Sequence, residues 1–188
     1  MVVPFYLAQS VLSISLVEIR NTKMQFIQKS SLTKLQKQAI RGLWNSEYPA
    51  VISQKTDENF DAYLKPLGDQ HHVLVWSESG ELQAWFFDFV RNNERNFAMI
   101  VSRKAQGKGL GKKLLLDAQD RLPELKGWVV KTQGLYKADG TEYVNPKDFY
   151  SICGFVVIQD EIWKTKAFET VKIAWFKTAK SHLNESHS

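Results

Sequence analysis

The sequence predicts one α+β domain, a mixed and mostly antiparallel sheet with helices packed on it. Three observations predict it. The apolar period is helical from Ser31 to Leu64 and becomes strand-like after Gly68. Three strand patterns then follow one another through short turns, the signature of an antiparallel meander. After them the order is strand, helix, strand, which needs a parallel crossover, and two further strands close the chain. With 188 residues, 44% hydrophobic and 24% charged, the chain has the size and composition of a single globular domain.

Taken in order, residues 1–23 are expected to be an N-terminal appendage. Their apolar stretch has no positive region ahead of it, unlike a signal peptide, and Pro4, Gln9, Ser10, Ser13 and Ser15 break it as a membrane span. Met24 opens a strand, Met24-Gln25-Phe26-Ile27. A helix follows in which Leu32, Leu35, Ala39, Ile40 and Leu43 share a face; Ser31 or Thr33 caps it, Thr33 with Gln36 having capping-box spacing. A second, short helix follows Thr56-Asp57, carries Phe60, Tyr63 and Leu64, and is stopped by Pro66 and Gly68.

His71 to Trp76 reads as a strand and Glu78 to Glu81 as its turn. Leu82 to Val90 is almost wholly apolar, so this strand is expected to be buried on both faces. Asn92-Asn93 turns the chain into Asn96 to Val101. Next comes a helix with Leu110, Leu114, Leu115, Ala118 and Leu122 on one side, ending near Pro123. Trp128 to Val130 is a strand, Lys147 to Cys153 a short helix, and Phe155 to Ile162 and Phe168 to Phe176 the last strands. The domain is expected to span 24–178, with a polar tail at 179–188.

Composition excludes several functions. The single cysteine, Cys153, permits neither an internal disulfide nor a Cys-rich zinc site and reads as a small core residue; nothing indicates an oxidising compartment, so a cytoplasmic location is expected. The 25 Lys and Arg exceed the 20 Asp and Glu by five, and Arg103 to Lys113 alone holds five cations without an anion. Charge focused in this way points to a compact anionic ligand rather than to a nucleic acid or a membrane. A solvated charged loop is the alternative that charge alone leaves open.

Within that segment, Gln106-Gly107-Lys108-Gly109-Leu110-Gly111 lies between a strand and an amphipathic helix. The first turn of a helix offers unpaired N–H groups and the positive end of its dipole, and glycines let an anion approach. Three phosphate motifs fail on spacing. A dinucleotide fingerprint would need glycine at Lys112; a P-loop ending at Lys112 would need glycine at Gln106 and Ser or Thr at Lys113. A kinase glycine loop leads into a strand, not a helix.

The spacing that fits is Gln-x-x-Gly-x-Gly. Here the sequence resembles the GNAT-type N-acetyltransferase superfamily, whose acetyl-coenzyme A (acetyl-CoA) loop reads (Arg or Gln)-x-x-Gly-x-(Gly or Ala). The preceding Met99-Ile100-Val101 is similar to the strand before that loop, and Phe149-Tyr150-Ser151-Ile152-Cys153-Gly154-Phe155 to the aromatic-Tyr-x-x-x-Gly-Phe signature of the last helix. The resemblance covers the chain from Met24 to Phe176. It implies a GNAT-like twisted sheet with helices on both faces. There are departures. Arg103 stands where proline is frequent, Tyr143 where an asparagine is common, with Asn145 two positions on, and no acidic residue falls between Ala98 and Ser102.

The activity so implied is direct transfer of an acetyl group from acetyl-CoA to a primary amine, with acetyl-CoA as co-substrate and no metal. Backbone groups of Met99 and Val101 would hold the pantetheine arm and the thioester carbonyl; Gln106, Gly107, Lys108, Gly109, Leu110, Gly111 and Lys112 would hold the pyrophosphate; Asn145 is a further candidate contact. Tyr150 is the candidate general acid, because a phenol of pKa ~10 can serve a thiolate of cysteine-like pKa ~8.5. Asp88, a carboxylate on an apolar strand, is the candidate base, with an outward-facing carboxylate as the alternative. His71 and His72 could relay a proton or merely cap a strand. Trp44, Tyr48, Trp76 and Trp85 could line an acceptor pocket or simply be core.

The acceptor is expected to be a small-molecule or peptide amine, and the protein a monomer or homodimer. A catalytically inactive acyl-CoA-binding sensor or interaction module of the same fold is the alternative, for which the missing strand carboxylate speaks. A phosphate- or nucleic-acid-binding domain would leave Tyr150, Gly154 and Phe155 unexplained.

Overall fold

A computed structural model describes residues 24–178. The appendage and polar tail expected at 1–23 and 179–188 lie outside the described residues. Twelve elements follow one another: β1 (Gln25–Lys29), α1 (Lys34–Glu47), a 3₁₀ turn (Ala50–Ile52), α2 (Asp57–Leu64), β2 (Gly68–Trp76), β3 (Leu82–Arg91), β4 (Glu94–Val101), α3 (Leu110–Arg121), β5 (Glu124–Val130), α4 (Lys147–Ile152), β6 (Val156–Lys164) and β7 (Glu169–Phe176).

Local chemistry sets the boundaries. Thr33 caps α1 with the full reciprocal box, its hydroxyl accepting Gln36 N–H and the Gln36 side chain accepting Thr33 N–H. Thr56 caps α2. Asn92 and Asn93 have φ of 54° and 60°, the left-handed pair that a two-residue turn between twisted strands requires. Two expectations are corrected. Leu35 is 78% exposed, because the apolar stripe of α1 runs through Ile40, Leu43 and Trp44 instead. β5 begins at Glu124, directly after Pro123, since pairing of Glu124 with Phe176 extends it beyond its apolar residues.

The seven strands form one sheet in the order β1-β2-β3-β4-β5-β7-β6. All neighbouring pairs are antiparallel except β4 and β5. Strand alternation on β3 divides the core in two. Ala84 and Phe86 face a cluster with Leu114, Leu115 and Ala118 of α3 and Tyr150 and Cys153 of α4. Trp85, Phe87 and Phe89 face Ile40 and Trp44 of α1 and Phe60 of α2. Helices thus cover both faces and β3 is buried on both, which is why its sequence is nearly all apolar.

The parallel junction is the irregular one. β4 and β5 are paired only at Asn96 and Lys126, near the start of both strands, and diverge beyond it. The outer edge of β4 is therefore left open as it runs toward the glycine loop.

Candidate functional site

A cleft of about 1860 Å³ occupies this divergence. Its floor is the open edge of β4. Ser102 N–H donates to Gln83 carbonyl on β3, so by strand alternation Val101 and Met99 turn their backbone groups the other way, into the cleft. Two contacts agree with this: Val101 carbonyl accepts Gln106 Nε2 at 2.9 Å, and Met99 carbonyl accepts the Tyr48 hydroxyl at 3.3 Å.

One end of the cleft is the glycine loop. Ser102 carbonyl accepts the N–H groups of Ala105 and Gln106, which folds the chain into a tight turn. Gly107 and Gly109 then take φ of 71° and 78°, the left-handed region that glycine adopts without strain. Gly109 is the N-cap of α3 and supplies no side-chain cap, so the first-turn amides of the helix remain available. Gly111 serves packing instead. A Cβ there would meet the Phe149 ring at 3.2 Å and Met99 Cε at 3.5 Å, so its absence lets α3 close on β4 and α4.

The five cations of the loop divide. Lys104 pairs with Glu81, Lys113 with Asp117, and Lys108 Nζ folds back onto the Lys104 carbonyl at 2.7 Å. Arg103 and Lys112 line the cleft and have no ion-pair partner among the described residues. Part of the basic run is thus a solvated face and part is directed at the site.

Tyr150 stands on the α4 wall of the cleft, 8% exposed. Its ring is held edge-on by Phe97, Phe149 and Phe155, with centroids 5.3 to 5.7 Å away. Burial, and then Tyr143 and Cys153, push its phenol well above the ordinary range. Tyr48 is likewise raised by burial and then by Tyr150, Tyr143 and Tyr63, and burial pushes Tyr143 up to about 12. Phenols whose anions are penalised by burial stay protonated and act as hydrogen-bond donors.

Of the residues expected to bind a cofactor, Met99, Val101, Gln106 and Gly107 line the cleft, as do Gly109, Leu110, Gly111, Lys112 and Asn145. Lys108 does not. Asn145 uses its side-chain oxygen to cap Lys147 N–H at 2.9 Å, starting α4. Trp44 and Tyr48 line the cleft, whereas Trp85 is fully buried in the core and Trp76 lies elsewhere. Cys153 is buried, with its thiol raised by burial, and packs in the core beside α3.

Asp88 is not brought to the cleft. It faces α3, fully buried, with Oδ1 2.5 Å from an Arg95 nitrogen and Oδ2 2.9 Å from both Arg121 and His71. Two guanidiniums and an imidazole therefore hold this carboxylate inside the fold. His72 is also structural. Its Nδ1 accepts the Trp85 indole N–H at 3.2 Å, its Nε2 donates to Gln70 Oε1 at 3.2 Å, and its ring stacks on Phe87.

Two residues of the site went unnoticed in the sequence. Glu47 and Lys137 pair at 2.7 Å on the cleft wall. Glu47 falls on the stripe of Ile40, Leu43 and Trp44, and a carboxylate on that stripe was the available signal. Lys137 lies in a polar excursion between β5 and α4 that carries no such pattern.

Solved structures similar to this chain in fold include N-acyltransferases. An acyl-CoA N-acyltransferase from Pseudomonas aeruginosa is 20% identical over 81% of this chain and 99% of its own, with a TM-score of 0.57. The spermidine/spermine N-acetyltransferase SpeG from Vibrio cholerae is 16% identical over 81% of this chain and 92% of its own, with a TM-score of 0.51. No protein-family model and no curated protein matches the sequence. The chain has the fold of the GNAT-type N-acetyltransferases. Among the described residues no helix is long and apolar enough to cross a membrane.

Proposed function

We propose that the protein transfers the acetyl group of acetyl-CoA directly to a primary amine. The observation that carries this reading is the open edge of β4 at Met99 and Val101, joined through the glycine loop to the uncapped start of α3, with a buried phenol also lining the cleft. An extended pantetheine arm fits such an edge as an added strand. Its pyrophosphate fits the amides from Gly107 to Lys112 and the Lys112 charge.

The chemistry then follows from the groups present. The amine, having lost a proton to solvent, attacks the thioester carbon. Val101 N–H, on the open edge, is placed to stabilise the oxygen that gains charge. As the carbon–sulfur bond breaks, the electron pair passes to sulfur and Tyr150 donates its hydroxyl proton toward it; the surplus proton on the new amide nitrogen passes through cleft water to the Tyr150 oxygen and restores the phenol. Burial raises the Tyr150 phenol, so its hydroxyl enters the step protonated and able to donate. Deprotonation of the amine is assigned to cleft water, because Asp88 is bound elsewhere.

The acceptor belongs to the small-amine class. SpeG acts on spermidine and spermine, and the tyrosines and tryptophans of the cleft suit an amine with an apolar body. Calorimetry with acetyl-CoA tests the site, using wild type, Gly109→Glu and Gly109→Ala. Both substitutions impose the left-handed strain of Gly109, and only Glu adds charge. Binding lost with Glu and retained with Ala places the pyrophosphate at the loop. Thiol release with a panel of amines then separates an enzyme from a sensor. Absence of acetyl-CoA binding by the wild type sinks the reading.

A further inference from the structure

Glu47 ends α1 on its apolar face, and its side chain is only 11% exposed. A carboxylate in that setting must be satisfied by hydrogen bonds or opposite charge. It is held from two further segments. Oε1 accepts Arg103 N–H at 2.8 Å, at the start of the glycine loop. Oε2 accepts Lys137 Nζ at 2.7 Å, from the excursion between β5 and α4, and Lys137 is itself nearly buried. Gln106 Nε2, while bound to Val101 carbonyl, also approaches Oε2 at 3.5 Å. Beside the ion pair, Ala50 N–H donates to Tyr136 carbonyl at 2.9 Å, a second tie from the excursion, here to the 3₁₀ turn that follows α1.

The other ties of the glycine loop are exposed or local: Lys104 pairs with Glu81 at the surface, Lys108 Nζ returns to the Lys104 carbonyl, and Gln106 Nε2 to that of Val101. Gly109 gives no side-chain cap, and Gly107 and Gly109 remove the side chains that would restrict the backbone. The loop is anchored where it begins, by the Ser102 carbonyl from one side and by Glu47 from the other. An anion site made of backbone amides is only as good as their convergence, so whatever orients the start of the loop sets affinity for the anion.

We infer that Glu47 is a positioning residue. It aims the amides of the glycine loop at the pyrophosphate of acyl-CoA, and through Lys137 it ties that loop to the excursion between β5 and α4. The inference rests on the acyl-CoA reading above. It makes a claim that burial alone does not, namely that loss of Glu47 weakens the phosphate end of the ligand and spares the thioester end.

The experiment compares two ligands, coenzyme A and S-acetylpantetheine, which has the arm and thioester without the pyrophosphate. Each is titrated into wild type, Glu47→Ala, Glu47→Gln and Lys137→Met, with thermal melting to establish that each variant is folded. Glu47→Ala is expected to weaken coenzyme A binding about 10- to 100-fold, the size of a lost charge-assisted hydrogen bond, and to leave S-acetylpantetheine within about twofold. Glu47→Gln keeps an acceptor for Arg103 N–H and should recover part of the loss. Should Glu47→Ala fail to fold, Glu47→Gln and Lys137→Met carry the same comparison. Equal weakening of both ligands, or unchanged coenzyme A affinity in a folded variant, overturns the inference. A wild type that binds neither ligand overturns the acyl-CoA reading itself, an outcome distinct from both.

Discussion

The ring of Phe97 lies across the backbone of Gly127 so closely that a Cβ on Gly127 would approach Phe97 Cε1 to 2.7 Å. Phe97 is the first residue of β4 after its single paired position with β5, and Gly127 the first of β5. The ring therefore fills the base of the divergence between the strands, stacked on Phe86 and edge-on to Tyr150. A large side chain against none holds the cleft open and positions the catalytic candidate at once. Gly127→Ala is expected to destabilise the protein by about 1–3 kcal/mol, the usual cost of overpacking, and to lower acetyl-CoA affinity by displacing Phe97. Urea unfolding and calorimetry measure the two effects. Unchanged stability would mean that the strands part freely to admit the methyl group.

Tyr150→Phe removes one hydroxyl from a ring that three aromatic neighbours hold in place. The ring should keep its position, so stability and the KM for acetyl-CoA should change little. The turnover number should fall about 10²- to 10⁴-fold, the range for loss of a general acid. Steady-state thiol release gives both constants. A fall in affinity with normal turnover would assign Tyr150 to packing.

Asp88 separates a structural carboxylate from a catalytic one. Asp88→Asn leaves Arg95, Arg121 and His71 around a neutral amide in a fully buried position. Breaking such a centre from one side costs about 3–5 kcal/mol. The variant should therefore melt much earlier and, below its transition, turn over substrate at the wild-type rate. The reverse pattern, normal melting with lost turnover, would restore Asp88 as the base.

That residue marks the limit of what the sequence discloses. The order of elements along the chain, the capping-box spacing of Thr33 with Gln36 and the double burial of β3 were legible because each rests on local period or local hydrogen bonding. The glycine loop was legible because its φ angles require glycine at fixed spacing. Asp88 was visible as an anomaly on an apolar strand, but its partners come from β2, β4 and α3 and are defined by packing alone. Lys108 and Lys112 look equivalent in sequence, and only the turn into α3 sends one back to the Lys104 carbonyl and the other to the cleft. Glu47 and Lys137 are 90 positions apart, beyond any local pattern.

His72 gives a prediction in pH. Burial, and then the nearby His71, lower its pKa from 6.5 to about 4, and its hydrogen bonds agree: Nδ1 must be unprotonated to accept from Trp85. Between pH 4 and 6.5 the unfolded chain binds a proton at this site that the folded chain does not, so unfolding is favoured as pH falls through that window. The stability at stake is about 3 kcal/mol, fully present above pH ~6.5 and lost progressively toward pH ~4. Urea unfolding at pH 7, 6 and 5 should show this decline. In His72→Gln the site cannot charge. That variant should be less stable at pH 7, having lost the Phe87 stack and part of the Trp85 and Gln70 bonding, yet its stability should fall less steeply toward pH 5. Parallel slopes for the two proteins would show that His72 takes up no proton on unfolding, and that acid sensitivity resides in the carboxylates instead.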